Sequence, residues 1–502
     1  MVALTEMVFN TLKKCLLTKL SKEAGICLSP LIIQLMFSKL TSTNSFTCFI
    51  WLFLILSVST VGSAFGQNFQ LMRYDENYSN LKTDTVLSFY NHIKFIPLSA
   101  NGNDFLSIGG EARQEFDAFD NEDWGKVDAG HDNFYLQRYD LHTDWEFGND
   151  FRIFFQLRSA LENGRPMGPR PIDEDQLNVQ NLFADLKIWR SSKDSLIIRA
   201  GRQELNYGAG RLISVREGPN VRLYFTGLKA IYKYQNLSVD AFAMEADQVK
   251  PGVFDNQMTK QVNLWGFYST LNLEGNKNVD FYYIGNRKDS VVYNEGTGNE
   301  VRHTIGGRLW KNNNGFVYDI EAAYQFGKFS GQSISAWTAS FDLGYIFADL
   351  KSRPAFGLRN DYISGGGNKS GGDLETFNPI YPKGGYFGFD PQIGPVNLID
   401  IHPYASIQVC PGLTFLADIV YNWRYSVNDG IYRPSGAFNL TGDGTTQKYI
   451  GTDYLAKVSY VFNAFLSVDF GLQYFKTGPY INAEIPNHKN AVETNSRISF
   501  KF

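Results

Sequence analysis

Three things that an ordinary enzyme or helical membrane protein depends on are scarce in this 502-residue chain: cysteine, clustered histidine and long apolar runs. Three of its four cysteines, Cys15, Cys27 and Cys48, lie near the N-terminus. If that region is removed on export, Cys410 stands alone, so neither an internal disulfide nor a thiolate metal cluster can form. The six histidines (His92, His131, His142, His303, His402 and His488) show no metal-ligand spacing. No G-x-S-x-G elbow and no H-E-x-x-H helix motif is present. Gly366-Gly367-Asn368-Lys369-Ser370 has Asn where a phosphate loop needs Gly before its Lys. The chain reads as a non-enzyme without a bound cofactor. The acidic runs Asp173-Glu174-Asp175 and Asp120 to Asp123 could hold Ca2+ in external loops, but they lack the spacing of a dedicated loop, and solvated acidic loops are the expected reading.

Only one apolar run approaches the roughly 20 residues a membrane helix requires, Phe46 to Ala64. Lys39 precedes it, the core 49–56 is strongly apolar, and Ser57, Ser59, Gly62, Ser63 and Ala64 follow. That order is a secretory signal with cleavage after Ala64 or Gly66. Residues 1–66 are therefore read as a signal region, with residues 1–35 as a misassigned start and Met36 as the start of a signal of ordinary length. Cys48 lies before the apolar core, which argues against a lipid anchor. The whole chain carries −4; without the five Lys and two Glu of residues 1–66 it carries −7, from 42 basic and 49 acidic side chains. An acidic balance of this kind excludes a general nucleic-acid binder.

What the sequence has in abundance is aromatic side chains and glycine: 40 Phe, 28 Tyr and 46 Gly. Mean hydropathy is nevertheless slightly negative. A wall with one lipid face and one aqueous face reconciles the two, because only alternate residues of each strand need be apolar. After a polar lead-in over residues 67–103, with a short plug-like segment near Tyr90 to Phe95, such alternation begins at Phe105. Leu106, Ile108, Ala112 and Phe116 oppose Glu111, Arg113 and Glu115. In the second strand, 134–147, Tyr139, Leu141, Trp145 and Phe147 oppose Arg138, Asp140, His142, Asp144 and Glu146. In the third, Ile153, Phe155 and Leu157 oppose Arg152, Gln156 and Arg158. Further strands are expected at 179–189, on either side of a central loop, and at 237–247, 262–273, 279–287, 301–311, 316–329, 334–348, 355–363, 396–409, 413–426, 449–462, 466–476 and 492–502. The expected fold is all-β: a transmembrane antiparallel barrel over residues 104–502 with about 18 strands (range 16–18), an even number that leaves both ends on one side of the membrane. The connection from Ser364 to Pro395 is the longest; it can fold inward as a lid or constriction, or serve as flexible external decoration. In the last strand Ile498, Phe500 and Phe502 alternate with Arg497, Ser499 and Lys501. As a soluble edge this strand would invite aggregation; as a terminal strand it is similar to the outer-membrane assembly address, with Phe502 read by the assembly machinery.

The stretch on which the rest is arranged is Leu196 to Gly227, an alternating strand that breaks into a Gly- and Arg-rich loop and returns. Gly201, Arg202, Gln203, Glu204 and Leu205, then Tyr207-Gly208, then Gly210-Arg211-Leu212, resemble the signature of the alginate export family, outer-membrane porins that pass an acidic polysaccharide. The wider likeness spans about Phe105 to Phe502. The resemblance implies a bacterial outer-membrane location, lipid around the barrel and an anionic saccharide inside it. Arg202, Glu204, Tyr207 and Arg211 are expected to brace the loop at the pore mouth.

If Tyr139, Ile153, Ile305, Leu358, Ile419 and Val458 face lipid, alternation turns their neighbours into the bore. The basic set is Arg113, Arg138, Arg152, Arg158, Lys187, Arg199, Lys229, Lys233, Arg308, Arg359, Arg424 and Lys457. The acidic set is Glu111, Asp140, Asp144, Asp185, Asp319, Glu321, Asp342, Asp361, Asp418 and Asp453. An Arg turned to the bilayer midplane costs about 2–4 kcal/mol, which drives these charges inward. Arg suits a carboxylate ladder because its planar fork binds two oxygens and keeps its charge when partly desolvated. The plain alternative is that these ions satisfy one another within a stiff wall. The expected function is passive passage of an acidic oligo- or polysaccharide through a monomeric, anion-preferring channel. Alternatives are an uptake porin for another small anion or sugar acid, or a closed structural or adhesive barrel.

Overall fold

In the computed structural model the described residues are 69–83, 88–126, 130–367, 372–386, 388 and 391–502. The expected signal region lies outside them. None of their helices is long and apolar enough to cross a membrane, which says nothing of crossing by strands.

Eighteen long strands form one antiparallel sheet. They are β1 (Phe105–Asp120), β2 (His131–Phe147), β3 (Phe151–Asn163), β4 (Asp175–Arg190), β5 (Asp194–Gln203), β6 (Phe225–Tyr234), β7 (Leu237–Gln248), β8 (Gln257–Leu273) and β9 (Lys277–Tyr293). They continue as β10 (Gly296–Lys311), β11 (Gly315–Phe329), β12 (Gln332–Ile346), β13 (Ala355–Ile363), β14 (Leu398–Cys410), β15 (Leu413–Arg424), β16 (Tyr449–Val461), β17 (Leu466–Thr477) and β18 (Ala491–Lys501). Each pairs with its sequence neighbours, and β18 closes on β1 in a register running from Glu111 opposite Lys501 to Asp120 opposite Val492. Beyond β18, Phe502 exchanges two backbone hydrogen bonds with Gly110, 2.9 and 3.0 Å. Closure leaves the sheet no open edge. The even-stranded antiparallel barrel expected from alternation is the fold observed.

Alternation also sorts the faces as expected. Tyr139, Ile305, Leu358 and Val458 are exposed, while Arg113, Arg138 and Arg158 are buried. Several strands run further than the apolar pattern indicates. β1 extends through Asp120, β4 begins at Asp175, and β9 and β10 meet in the tight turn at Asn294-Glu295. The backbone ladder continues beyond the height at which the outer face must be greasy, so polar residues join strands that periodicity alone ends early. The return strand of the central stretch is shorter than expected: residues 204–224 are loop, and β6 starts only at Phe225.

One end of the barrel carries short turns; the other carries the long loops together with the tight turns at 294–295 and 330–331, and three of those loops bury much of their length. Residues 204–224 enter the bore. The connection after β13 packs Leu374, Thr376, Phe377 and Ile380 into the interior, in keeping with the inward lid. Arg302 binds the Thr376 carbonyl at 3.1 Å, and Gln325 binds that of Asn378 at 2.7 Å. The third, between β15 and β16, holds a small hairpin, Ile431–Tyr432 with Phe438–Leu440.

Opposite these, the N-terminal segment docks at the short-turn end. Its helix α1 (Phe89–Lys94) is capped by the Ser88 side chain, which accepts from the Asn91 amide at 3.1 Å. Arg73 donates to the carbonyls of Gly110 and Phe502, both at 2.9 Å, and pairs with Glu76 at 2.7 Å. Tyr74 reaches further in. It packs edge-on against Phe154 and Phe183, and its hydroxyl donates to the Glu204 carbonyl at 2.7 Å. The plug-like character expected near Tyr90 to Phe95 therefore extends back to Tyr74.

Candidate functional site: the charged interior

The signature residues hold the inserted loop inside the bore, not at its mouth. Gly201 has φ +130°, and a side chain there would run into the Leu182 carbonyl, so only glycine lets β5 pack on β4. Gly208 and Gly210 also have positive φ, +58° and +77°, where the loop turns. Arg202 donates to the Val179 carbonyl at 3.0 Å and lies 3.4 Å from Asp247. The buried Gln203 amide contacts the Gly201 carbonyl at 3.4 Å. Glu204 accepts from Gln180 at 2.8 Å and pairs with Arg222 at 3.0 Å. Tyr207 stacks between Phe242 and Tyr268 and donates to Asp240 at 3.1 Å. Arg211 binds Asp319 at 3.0 Å and Glu321 at 2.9 Å. Asp240 and Asp319 lie near the short-turn ends of β7 and β11, so the loop descends well into the barrel. The expectation of a mouth brace is corrected. A loop rich in Gly and Arg, facing wall carboxylates, gains more ion pairs inside than at the rim.

Every strand cation named from the sequence except Lys233 lies on a buried or half-buried face; Lys233 is exposed near the end of β6. The structure groups them by partner. Arg152 binds Asp144 at 2.7 Å and Arg158 binds Asp140 at 2.6 Å, each through two nitrogens. Arg199 does the same with Asp185, at 2.7 and 2.8 Å, while its guanidinium covers the Phe183 ring. Lys187 meets Glu146 at 3.4 Å, Lys229 meets Asp240 at 3.3 Å, and Lys457 meets Asp469 at 2.9 Å. Arg308 bridges Asp280 and Asp319, and Arg359 bridges Asp342 and Asp418. Arg424 is different: it donates to the carbonyls of Val427, Asp429, Gly442, Thr445 and Gln447, so it braces the loop after β15. Its place on an inward position was legible; its partners come from the folding of a distant loop and were not.

Arg113 and Arg138 stand apart because they meet the inserted loop. Arg113 donates to the carbonyls of Glu217, Gly218 and Pro219 at 2.9, 3.1 and 3.2 Å. Arg138 binds Glu111 at 3.1 Å and the Glu217 carboxylate at 2.5 Å. Arg222 approaches the other Glu217 oxygen at 3.0 Å, and Arg497 reaches the Gly218 carbonyl at 3.2 Å. Burial pushes the Glu217 carboxyl up, but the Arg138, Arg222, Arg113 and Arg158 guanidiniums together hold it well below its ordinary value. Sequence reasoning missed Glu217 and Arg222 because no alternation marks a loop. Arg497 was visible as an alternating charge in the last strand.

The acidic runs proposed as Ca2+ loops are taken up by arginines. Asp173 binds Arg170 at 2.8 Å, Glu122 binds Arg165 at 3.0 Å, and Asp123 pairs with Arg433. Asp120 and Asp175 belong to strands and not to loops.

With this geometry in hand, comparisons place the chain. Residues 104–495 match the sequence profile described as alginate export. No curated protein matches. Among solved structures, OccAB1 of Acinetobacter baumannii is similar at TM-score 0.54 and 12% identity, over 82% of this chain and 99% of that one. Pseudomonas aeruginosa OccK2 (OpdF), solved in complex with glucuronate, is similar at 0.52 and 10%, over 79% and 96%. Pseudomonas aeruginosa OpdO gives 0.50 and 11%, over 79% and 97%. At such identities the likeness is one of fold, that of outer-membrane porins. The chain belongs to the alginate export family and is a β-barrel channel protein of the bacterial outer membrane.

Proposed function

We propose that this barrel passes an acidic oligo- or polysaccharide such as alginate passively, with the guanidiniums of its interior acting as successive carboxylate sites. The observation that carries this reading is the setting of Glu217: a carboxylate brought in by a loop and held by Arg138 and Arg222, with Arg113 on the adjoining carbonyls. A site that accepts one carboxylate from a loop has the chemistry to accept another from a uronate. Neighbouring Glu111 and Glu204 compete for the same guanidiniums, which keeps each site weak enough to release its guest. One structural neighbour was solved with glucuronate, itself a uronic acid, which adds support. Passage requires the inserted loop and the Tyr74 segment to yield, since both occupy the bore. No bond chemistry is involved. Phe502 at the strand junction serves as the assembly address, residues 1–66 as the export signal, and the barrel works as a monomer.

Single-channel conductance in a planar bilayer, with uronate oligomers added as blockers, tests this. The expected result is an anion-preferring current blocked by the oligomers. Silence would favour a closed structural or adhesive barrel. Current without uronate block would assign the channel to another small anion or sugar acid.

A further inference from the structure

The wall formed by β13, β14 and β15 carries charges that transport of a polyanion does not explain. Asp361 of β13 is paired directly with Asp400 of β14, and His402 lies two residues further along the same face. One ligand atom from each of the three falls within 4.8 Å of the others. All three are enclosed: Asp361 is 2% exposed, Asp400 and His402 0%. Two carboxylates facing each other at this range repel strongly unless something positive lies between them.

Of the groups already present, His402 Nε2 lies 3.1 Å from Asp400 Oδ1 and engages only that oxygen of the pair. Arg211 stands 4.0 Å from Asp361 but is committed to Asp319 and Glu321. Arg359 serves Asp342 and Asp418. Among the described residues, Oδ2 of Asp361 and Oδ2 of Asp400 have no hydrogen-bond partner. Buried carboxylate oxygens are seldom left that way.

We propose that Asp361, Asp400 and His402 form a site for one divalent cation of borderline hardness, such as Zn2+ or Mn2+. Two carboxylates and an imidazole suit such an ion, and two waters or one more oxygen would complete its shell. The surroundings have the features of an outer shell. His402 Nδ1 faces Asp418 at 3.9 Å, the carboxylate–imidazole pairing that orients a ligating histidine. The Asp361 amide donates to Asp400 Oδ1 at 3.1 Å and fixes that carboxylate. A cavity between wall and inserted loops, lined by Arg211, Ser340, Asp361 and Lys383 among others, adjoins the site on its Asp361 side. Bound there, the cation ties two adjacent strands together and cancels charge that would otherwise repel an acidic polymer. Its ligands are brought together only by strand pairing, so no spacing in the sequence announces it.

The test uses the purified barrel in detergent, stripped with a chelator and titrated with Zn2+ alone by calorimetry. One tight site per chain is expected, weakened at least tenfold in D400N and in D361N, and unchanged in D342N. For the case where a variant does not fold, anomalous diffraction at the zinc edge from wild-type crystals should place the ion between the three side chains. No Zn2+ binding by wild type, equal binding by the folded D361N and D400N barrels, or a zinc peak elsewhere only would overturn the proposal. Because the readout is metal binding and not conductance, it stands or falls separately from the channel reading.

Discussion

Two walls of this barrel carry charge in different ways. On β1 and β2, Arg113 and Arg138 point at partners that belong to the inserted loop: the Glu217 carboxylate and three successive carbonyls. On β13 to β16, Arg359 pairs with carboxylates of the strands around it, and Asp361, Asp400, Asp418 and Asp453 are all buried. The first kind of partner can leave when its loop moves; the second is part of the wall. Counting arginines therefore does not locate a transport path. What matters is whether the group that satisfies each arginine can be exchanged for a solute.

That contrast can be broken from the wall side first. Arg158→Ala removes one half of a buried two-nitrogen pair and takes from Asp140 both of the hydrogen bonds that Arg158 gives it. Stability should fall by about 3–5 kcal/mol, measured as a lower midpoint of unfolding in urea. Arg152 and Arg158 are poor choices for charge reversal for the same reason, since each reversal would set two buried acids together.

The loop side should respond in transport more than in stability. The double variant Arg113→Ala, Arg138→Ala removes two guanidiniums whose charge-assisted hydrogen bonds are of about 1.5–3 kcal/mol each. Uronate block of the single-channel current should weaken by about a hundredfold. Glu217→Ala acts in the opposite sense by vacating the site, and block should tighten by about tenfold, or about 1.4 kcal/mol. If Glu217→Ala leaves block unchanged, the loop carboxylate is not a stand-in for the solute.

Arg359→Ala, on the acidic wall, should alter block by less than about threefold, within the range of a screened pair. A larger change would place the path along β13 to β15.

A pH experiment examines the segment docked against the first wall. Lys94 is fully enclosed, with its ammonium over the rings of Tyr78 and Tyr90. Burial, with Arg73 nearby, lowers it to about 7. The docked form thus disfavours the charged lysine. The cost is full below about pH 7 and fades as pH rises toward 10.5, the value of the undocked group. Hydrogen exchange of residues 89–97, corrected for its intrinsic pH dependence, should slow relative to the barrel over that window, and Lys94→Met should abolish the trend.

Much of the fold was legible because a lipid-facing wall imposes a two-residue period that composition cannot disguise. Eighteen strands, the inward turn of Arg113, Arg138 and Arg158, and closure through the last strand all follow from it. Strand ends were less legible, since Asp120 and Asp175 extend ladders where no apolar face is required. The position of the signature loop was not legible at all. Gly208, Gly210 and Arg211 announce a turn with charge, but nothing in their order says how far down the bore it reaches.

The sequence by itself determined which residues face lipid and which face inward, because that choice is made residue by residue through the cost of burying charge in hydrocarbon. Only the tertiary structure decided which charges meet. Glu217 reaches Arg138, Arg424 braces a distant loop, and Asp361 lies against Asp400 and His402 because strand register and loop folding bring together residues that are far apart in the chain.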